Sequence, residues 1–210
     1  MNPKKKYFIV FLLLIILILI FIYSLAKSYS TIVFNSISDK FIRFHVVANS
    51  NSTEDQILKY KIRDKIIDYI SPYLKVAKSK NEAMQILKSH ITEIYGVAYT
   101  TLNDENISYP ITIELGKFNF PTRDYSDFIL PEGVYDALRI KLGNANGQNW
   151  WCVMFPSICI PYSTANSYDN DTLSILKNTL GSEELSIVTK NSSTSDIKLK
   201  FKLVELFENM

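Results

Sequence analysis

Histidine and cysteine occur only twice each in 210 residues, and there are just six glycines and seven prolines. So few ligating and nucleophilic side chains leave little from which to build a catalytic centre. The sequence carries no His-Glu-x-x-His zinc motif, no Gly-x-Ser-x-Gly nucleophile elbow and no phosphate-cradling Gly-x4-Gly-Lys loop. An excess of one charge is missing too. Twenty-three Lys and Arg oppose 21 Asp and Glu, a net charge of +2, which argues against a nucleic-acid binder with a dominant basic stripe. Internal repeats and low-complexity blocks are absent as well, so one domain is expected, with no metal or cofactor and no enzymatic activity.

Apolar residues, by contrast, are concentrated in one place. Nineteen of the 20 residues from Tyr7 to Ala26 are hydrophobic, and Lys4, Lys5 and Lys6 precede them. At 1.5 Å per residue the run spans about 30 Å, the thickness of a bilayer's hydrocarbon core. Basic flanks stay on the cytoplasmic side, so the body is expected on the far side of the membrane. Residues 1–26 read either as a single-span anchor or as a signal peptide, since Ser24 and Ala26 have the small-residue spacing of a cleavage site. Residues 27–39 read as a tether.

The remainder reads as an α+β domain. Ile42, Phe44, Val46 and Ala48 alternate with Arg43, His45 and Val47, the period of a strand with one face on a core. Asn49 to Ser52 stop it, and Ser52 can cap a helix whose stripe is Ile57, Leu58, Ile62, Ile66 and Ile70, with Lys59, Lys61, Arg63 and Lys65 in solvent. A second helix is expected over Asn81–Tyr99, carrying a half-buried His90. Both helices would pack on a mostly antiparallel sheet built from Ile111–Leu115, Val134–Leu142 and Trp150–Phe155, the last two joined as a hairpin by Gly143–Gly147. Residues 40–161 form this core and 162–210 a C-terminal extension packed on it. Ile197–Leu203 read as a strand turning helical.

Several residues invite chemical readings. His45 lies on the presumed solvent face of its strand, and pairing it with Cys152 would give an exported hydrolase, although a buried thiol has a raised pKa. Cys152 and Cys159 could form a disulfide if Pro156-Ser157 turns the chain back, could remain a reduced pair, or could bind a metal. Trp150 and Trp151 are adjacent, so in a strand they point to opposite faces.

The run His45-Val46-Val47-Ala48-Asn49-Ser50-Asn51-Ser52, followed by Asp55-Gln56, Leu58-Lys59 and Arg63-Asp64, closely resembles the opening motif of the stage II sporulation protein R family. Phe118-x-Phe120-Pro121 with Arg123 and Tyr125, then Leu130-Pro131 through Arg139-Ile140, and Gly147-Gln148-Asn149-Trp150-Trp151-Cys152 through Pro156 agree in order. Asn51, Glu132 and Ser157 depart from the family's usual Asp, small residue and Pro. The resemblance implies an exported signalling protein of sporulation, sent from the forespore into the space between two membranes. There it would activate a membrane-embedded aspartic protease of the mother-cell membrane that processes the sigma-E precursor. The partner-binding residues implied on this reading are His45, Asn49, Ser50, Asn51, Arg63, Arg139, Gln148, Asn149, Trp150 and Trp151. A cell-envelope binding module is the other alternative to a ligand of this kind.

Overall fold

The computed structural model describes residues 3–125, 128–159 and 170–189. Its first element, helix α1 (Pro3–Ser38), is the one helix among the described residues long and apolar enough to cross a membrane. Its side chains from Tyr7 to Ile22 are exposed, as suits a helix whose solvent is lipid. The helix does not end where the apolar run ends. Residues 27–38, expected as a tether, continue it, because Val33 and Ile37 recur at helical spacing and are buried in the body. Ser36 Oγ donates to Glu184 Oε1 at 2.6 Å, and Lys40 pairs with the same carboxylate.

The body is α+β, built on a four-stranded sheet. Its strands are β1 (Ile42–Val47), β2 (Ile111–Phe120), β5 (Gly133–Leu142) and β6 (Asn149–Phe155), in the order β2-β5-β1-β6. Only the β1–β5 pair is parallel; β2–β5 and β1–β6 are antiparallel. The expected hairpin is therefore corrected: β1 lies between the strands that flank Gly143–Gly147. The loop instead arches over the end of β1, where Gly147 N–H donates to Ala48 O at 2.9 Å and Asn146 N–H to Asn49 O at 3.1 Å. A central strand pairs on both edges, and here it is also covered on both faces. Every residue of β1 is buried, including Arg43 and His45.

Helices α2 (Thr53–Leu74), α3 (Lys80–Ser89) and α4 (Ile91–Asp104) cover one face. Ser52 caps α2, its hydroxyl accepting from Asp55 N–H at 3.2 Å. Leu58, Ile62, Ile66 and Ile70 meet Phe44, Val46, Leu138 and Ile140, but Ile57 is 50% exposed and Lys59 and Arg63 are buried instead. The stripe is rotated from the expected one because both cations find partners against the sheet. The helix expected over Asn81–Tyr99 breaks at His90, whose backbone leaves helical geometry (φ −100°, ψ 12°). There Nδ1 bonds the Tyr69 hydroxyl at 2.8 Å, so three helices rather than two pack on this face.

The opposite face is covered by the end of α1, the short pair β3 (Arg123–Asp124) and β4 (Ile129–Leu130), and helices α5 (Asn170–Thr179) and α6 (Ser182–Val188). Leu176, Leu180 and Val188 pack there with Val33, Ile37, Phe41 and Phe128. The expected element at Ile197–Leu203 lies outside the described residues, as do the polar segments 163–169 and 191–195.

Candidate functional site

The expected site residues converge on the end of the sheet where β1 stops, and the strand register divides them between two faces. His45 stands opposite Arg139 on β5 and Trp151 on β6, and Arg139 stands opposite Glu114 on β2. Directly opposed residues share a face, so Glu114, Arg139, His45 and Trp151 form one row. Trp150, one residue away, points to the α2 side and sets its ring edge-on to Phe44 at 6.1 Å. The paired tryptophans thus serve different layers.

On the first face the His45 ring stacks on Trp151, with centroids 3.7 Å apart and planes 12° apart, and Phe120 meets Trp151 at 4.8 Å. His45 Nε2 lies 2.7 Å from Asn149 Oδ1. An amide oxygen can only accept, so the neutral ring carries its proton on Nε2. His45 is not the exposed residue the alternation suggests. Burial lowers its pKa to about 4, with Arg139, Arg123 and Arg43 lowering it further against the Asn149 bond. It is therefore uncharged near neutrality.

Two arginines that the sequence reading gave no role complete this face. Arg43 is fully buried, with its guanidinium 4.6 Å from the Phe120 centroid and 4.9 Å from that of Tyr135. Its Nε donates to Cys152 O at 3.2 Å and its Nη2 to the Tyr125 hydroxyl. Arg123 lies 5.3 Å from the Trp151 centroid. Arg139 is paired, its Nε donating to Glu114 Oε2 at 2.7 Å; that bond, with help from Lys141, holds the Glu114 pKa below the usual carboxylate value. The signal for Arg43 was legible as a cation within an alternating strand, but nothing in the sequence placed three aromatic rings around it.

The other face holds Arg63, Trp150 and, through a backbone contact, Gln148. Arg63 lies 4.7 Å from the Trp150 centroid and forms a two-pronged ion pair with Asp64 at 2.7 and 2.8 Å. Lys59 donates to Gln56 Oε1 at 2.6 Å and to Gln148 O at 3.1 Å, and burial followed by the Arg63 charge lowers its pKa. Asn49 and Ser50 are framework as much as surface. Both donate to Asp55 Oδ2, at 2.9 and 2.5 Å, while Asn49 Oδ1 accepts from Asn144 N–H at 2.9 Å. Burial pushes the Asp55 pKa upward, yet the bonds from Ser50, Asn49 and Tyr109 keep it below the usual value. Asn51 and Asn149 are exposed at the rim.

Cys152 and Cys159 are joined in a disulfide with Cα atoms 5.7 Å apart. Cys152 opposes Phe44 in register and packs on the α2 side, so its sulfur is both oxidised and on the wrong face for the hydrolase pairing with His45. Among the described residues no three His, Cys, Asp or Glu side chains are grouped to hold a metal ion.

The family model of stage II sporulation protein R matches residues 38–165, from the end of α1 past β6. The chain belongs to this family. Stage II sporulation protein R of Bacillus subtilis (strain 168) is 40% identical over 123 residues, which are 59% of this chain and 55% of that protein. The match thus spans about half of the relative's length. No solved structure matches. Membership gives the protein a role in sporulation, and every residue of the two faces lies inside the matched segment.

Proposed function

We propose that this member of the stage II sporulation protein R family is an exported ligand that activates a membrane-embedded aspartic protease, which in turn processes the sigma-E precursor of the mother cell. The observation that carries the reading is the union of family membership with an exposed apolar helix, long enough to cross a membrane, that runs directly into the matched body. Lys4–Lys6 stay in the forespore, α1 crosses or is exported through its membrane, and the body meets its partner in the space between the membranes. A ligand can shift a protease toward its active form only by binding that form more tightly. The contact surface includes the end of the sheet with Asn149, Gln148, Trp151 and Asn51 at its rim, supported by His45, Asn49, Ser50 and Arg139; Arg63 and Trp150 brace it from beneath.

The test is reconstitution: the full chain, the candidate protease and the sigma precursor are expressed together and precursor cleavage is followed. Cleavage should require the chain, should fail when residues 1–26 are deleted and the body stays in the cytoplasm, and should weaken with Gln148→Ala and Asn149→Ala. Undiminished cleavage with a cytoplasmic body would refute the reading.

A further inference from the structure

The row around Trp151 holds more hydrogen-bond donors than the described residues satisfy. Arg43 Nη1, Arg123 Nε and Trp151 Nε1 are buried and have no hydrogen-bond partner among the described residues. Nor does any carboxylate there lie within ion-pair distance of Arg43 or Arg123, although Arg63, Arg139, Lys40, Lys61 and Lys80 each have one. Aromatic faces moderate a buried charge but accept no conventional hydrogen bond at these donors, so among the described residues the fully buried Arg43 has ring faces, a carbonyl and a hydroxyl around it but no counter-charge. Buried charges are normally paired. The three unused donors adjoin one another through rings: Arg43 rests on Phe120, Phe120 abuts Trp151, and Arg123 lies over Trp151.

We infer that this face is a receptor for carboxylates, and that its ligand is an acidic, extended segment of the partner protein whose Asp or Glu side chains pair with the half-buried Arg123 beside Trp151, with the fully buried charge of Arg43 behind them. Paired charge-assisted bonds are the strong ones, and planar guanidinium matches carboxylate in two-pronged geometry. An extended segment rather than a small acid is favoured by β6, which ends the sheet among the described residues and carries Trp151 and the exposed Asn149. A strand running along that edge would gain main-chain bonds while presenting alternate side chains to the row. The inference rests on the proposed partner-binding role and specifies its chemistry.

The chain has only two tryptophans, so the Trp151 indole N–H signal can be followed by NMR in the full chain in detergent micelles, with Trp150→Phe giving the assignment. The probes are a short peptide with two Asp residues, the same peptide with Asn, and sodium sulfate at matched ionic strength. The Asp peptide should shift the Trp151 signal saturably, and the other two should not. Arg123→Gln, at a half-buried position whose folding is checked by the melting temperature, should weaken Asp-peptide binding about tenfold or more. It should also reduce precursor cleavage on co-expression. No shift, an equal shift with the Asn peptide or sulfate, or unchanged affinity in Arg123→Gln overturns the carboxylate receptor. Should Arg123→Gln abolish cleavage while the Asp peptide never binds, the partner-binding face stands and the acidic ligand falls.

Discussion

Replacing Gly147 with alanine tests the arch that holds the candidate face together. A Cβ built on Gly147 would lie 2.2 Å from Ser50 O and 2.8 Å from Ala48 Cβ. The first neighbour is a backbone atom at the end of β1 and cannot rotate away, so the loop must lift. Lifting it lengthens Gly147 N–H to Ala48 O (2.9 Å) and Asn146 N–H to Asn49 O (3.1 Å). Each bond contributes about 1 kcal/mol, and leaving the partly buried carbonyls without donors adds to the loss, giving about 2–4 kcal/mol in total. For a body of this size that lowers the melting temperature by about 5–15 °C. Because Asn149 follows two residues later, its bond to His45 should loosen as well. Thermal unfolding of the purified chain in detergent, monitored by circular dichroism, reads the effect. Gly96→Ala is the control: a Cβ there meets nothing within 4 Å on an exposed turn of α4, so it should raise stability by up to about 1 kcal/mol. A Gly147→Ala melting temperature within about 1 °C of the parent would show that the loop does not press on β1 as the geometry requires.

Other expectations follow from the same contacts. His45 has a folded pKa of about 4 against an ordinary value of 6.5, so the unfolded chain takes up its proton first as pH falls. Its contribution is complete above pH 6.5 and is lost on the way down to about pH 4. The shift corresponds to at most about 3 kcal/mol, reduced to about 2 by solvent reaching the ring from the rim. Urea unfolding of the parent and of His45→Gln at a series of pH values should show this extra acid sensitivity in the parent alone. Equal slopes for both would mean that His45 is not held neutral. The disulfide closes a loop of seven-residue separation, so its reduction, or Cys152→Ser with Cys159→Ser, should cost about 2–3 kcal/mol. The double variant should still fold, and an unchanged unfolding midpoint would contradict a bond formed in the native chain.

How far the sequence could be read depended on whether a feature is local. Periodicity located β1, β2, β5, β6 and α2, and the turn chemistry of Ser52 located the α2 cap, since each is decided within a few residues. The order of strands was not legible. Gly143–Gly147 has the composition of a hairpin loop, and nothing in it reveals that β1, about a hundred residues earlier, inserts between the two strands. That insertion also hid the burial of His45. Alternation shows that a strand has two faces, but the cover on the second comes from the foot of α1, which the sequence reads as a tether, and from β3, β4, α5 and α6, elements distant in sequence. Lys59 and Arg63 look like solvent-facing cations beside an apolar stripe; Gln56 and Asp64 are near them on α2, but Gln148 and Trp150, against which they are buried, are distant in sequence. The tether failed differently: Val33 and Ile37 are too few to mark a helix by pattern, and it is the run before them that carries the helix onward.

That continuity bears on the proposed role. If residues 27–38 were a flexible tether, the body would turn freely on α1, and the partner of the proposed reading would have to capture the sheet by diffusion. A helix whose last turns are buried in the body, with Tyr29 bonded to Glu183 and Ser36 and Lys40 to Glu184, removes that freedom. None of these contacts involves a residue before Lys27, and Val33 and Ile37 belong to the core that also holds Phe120 and Tyr135. Those two rings pack against each other at 5.8 Å, and Arg43 rests on both. One apolar cluster thus joins the foot of α1 to the row of donors beside Trp151. The base of α1 therefore supports the candidate face directly, and removing residues 27–38 would disturb that face as well as detach the body from the apolar run.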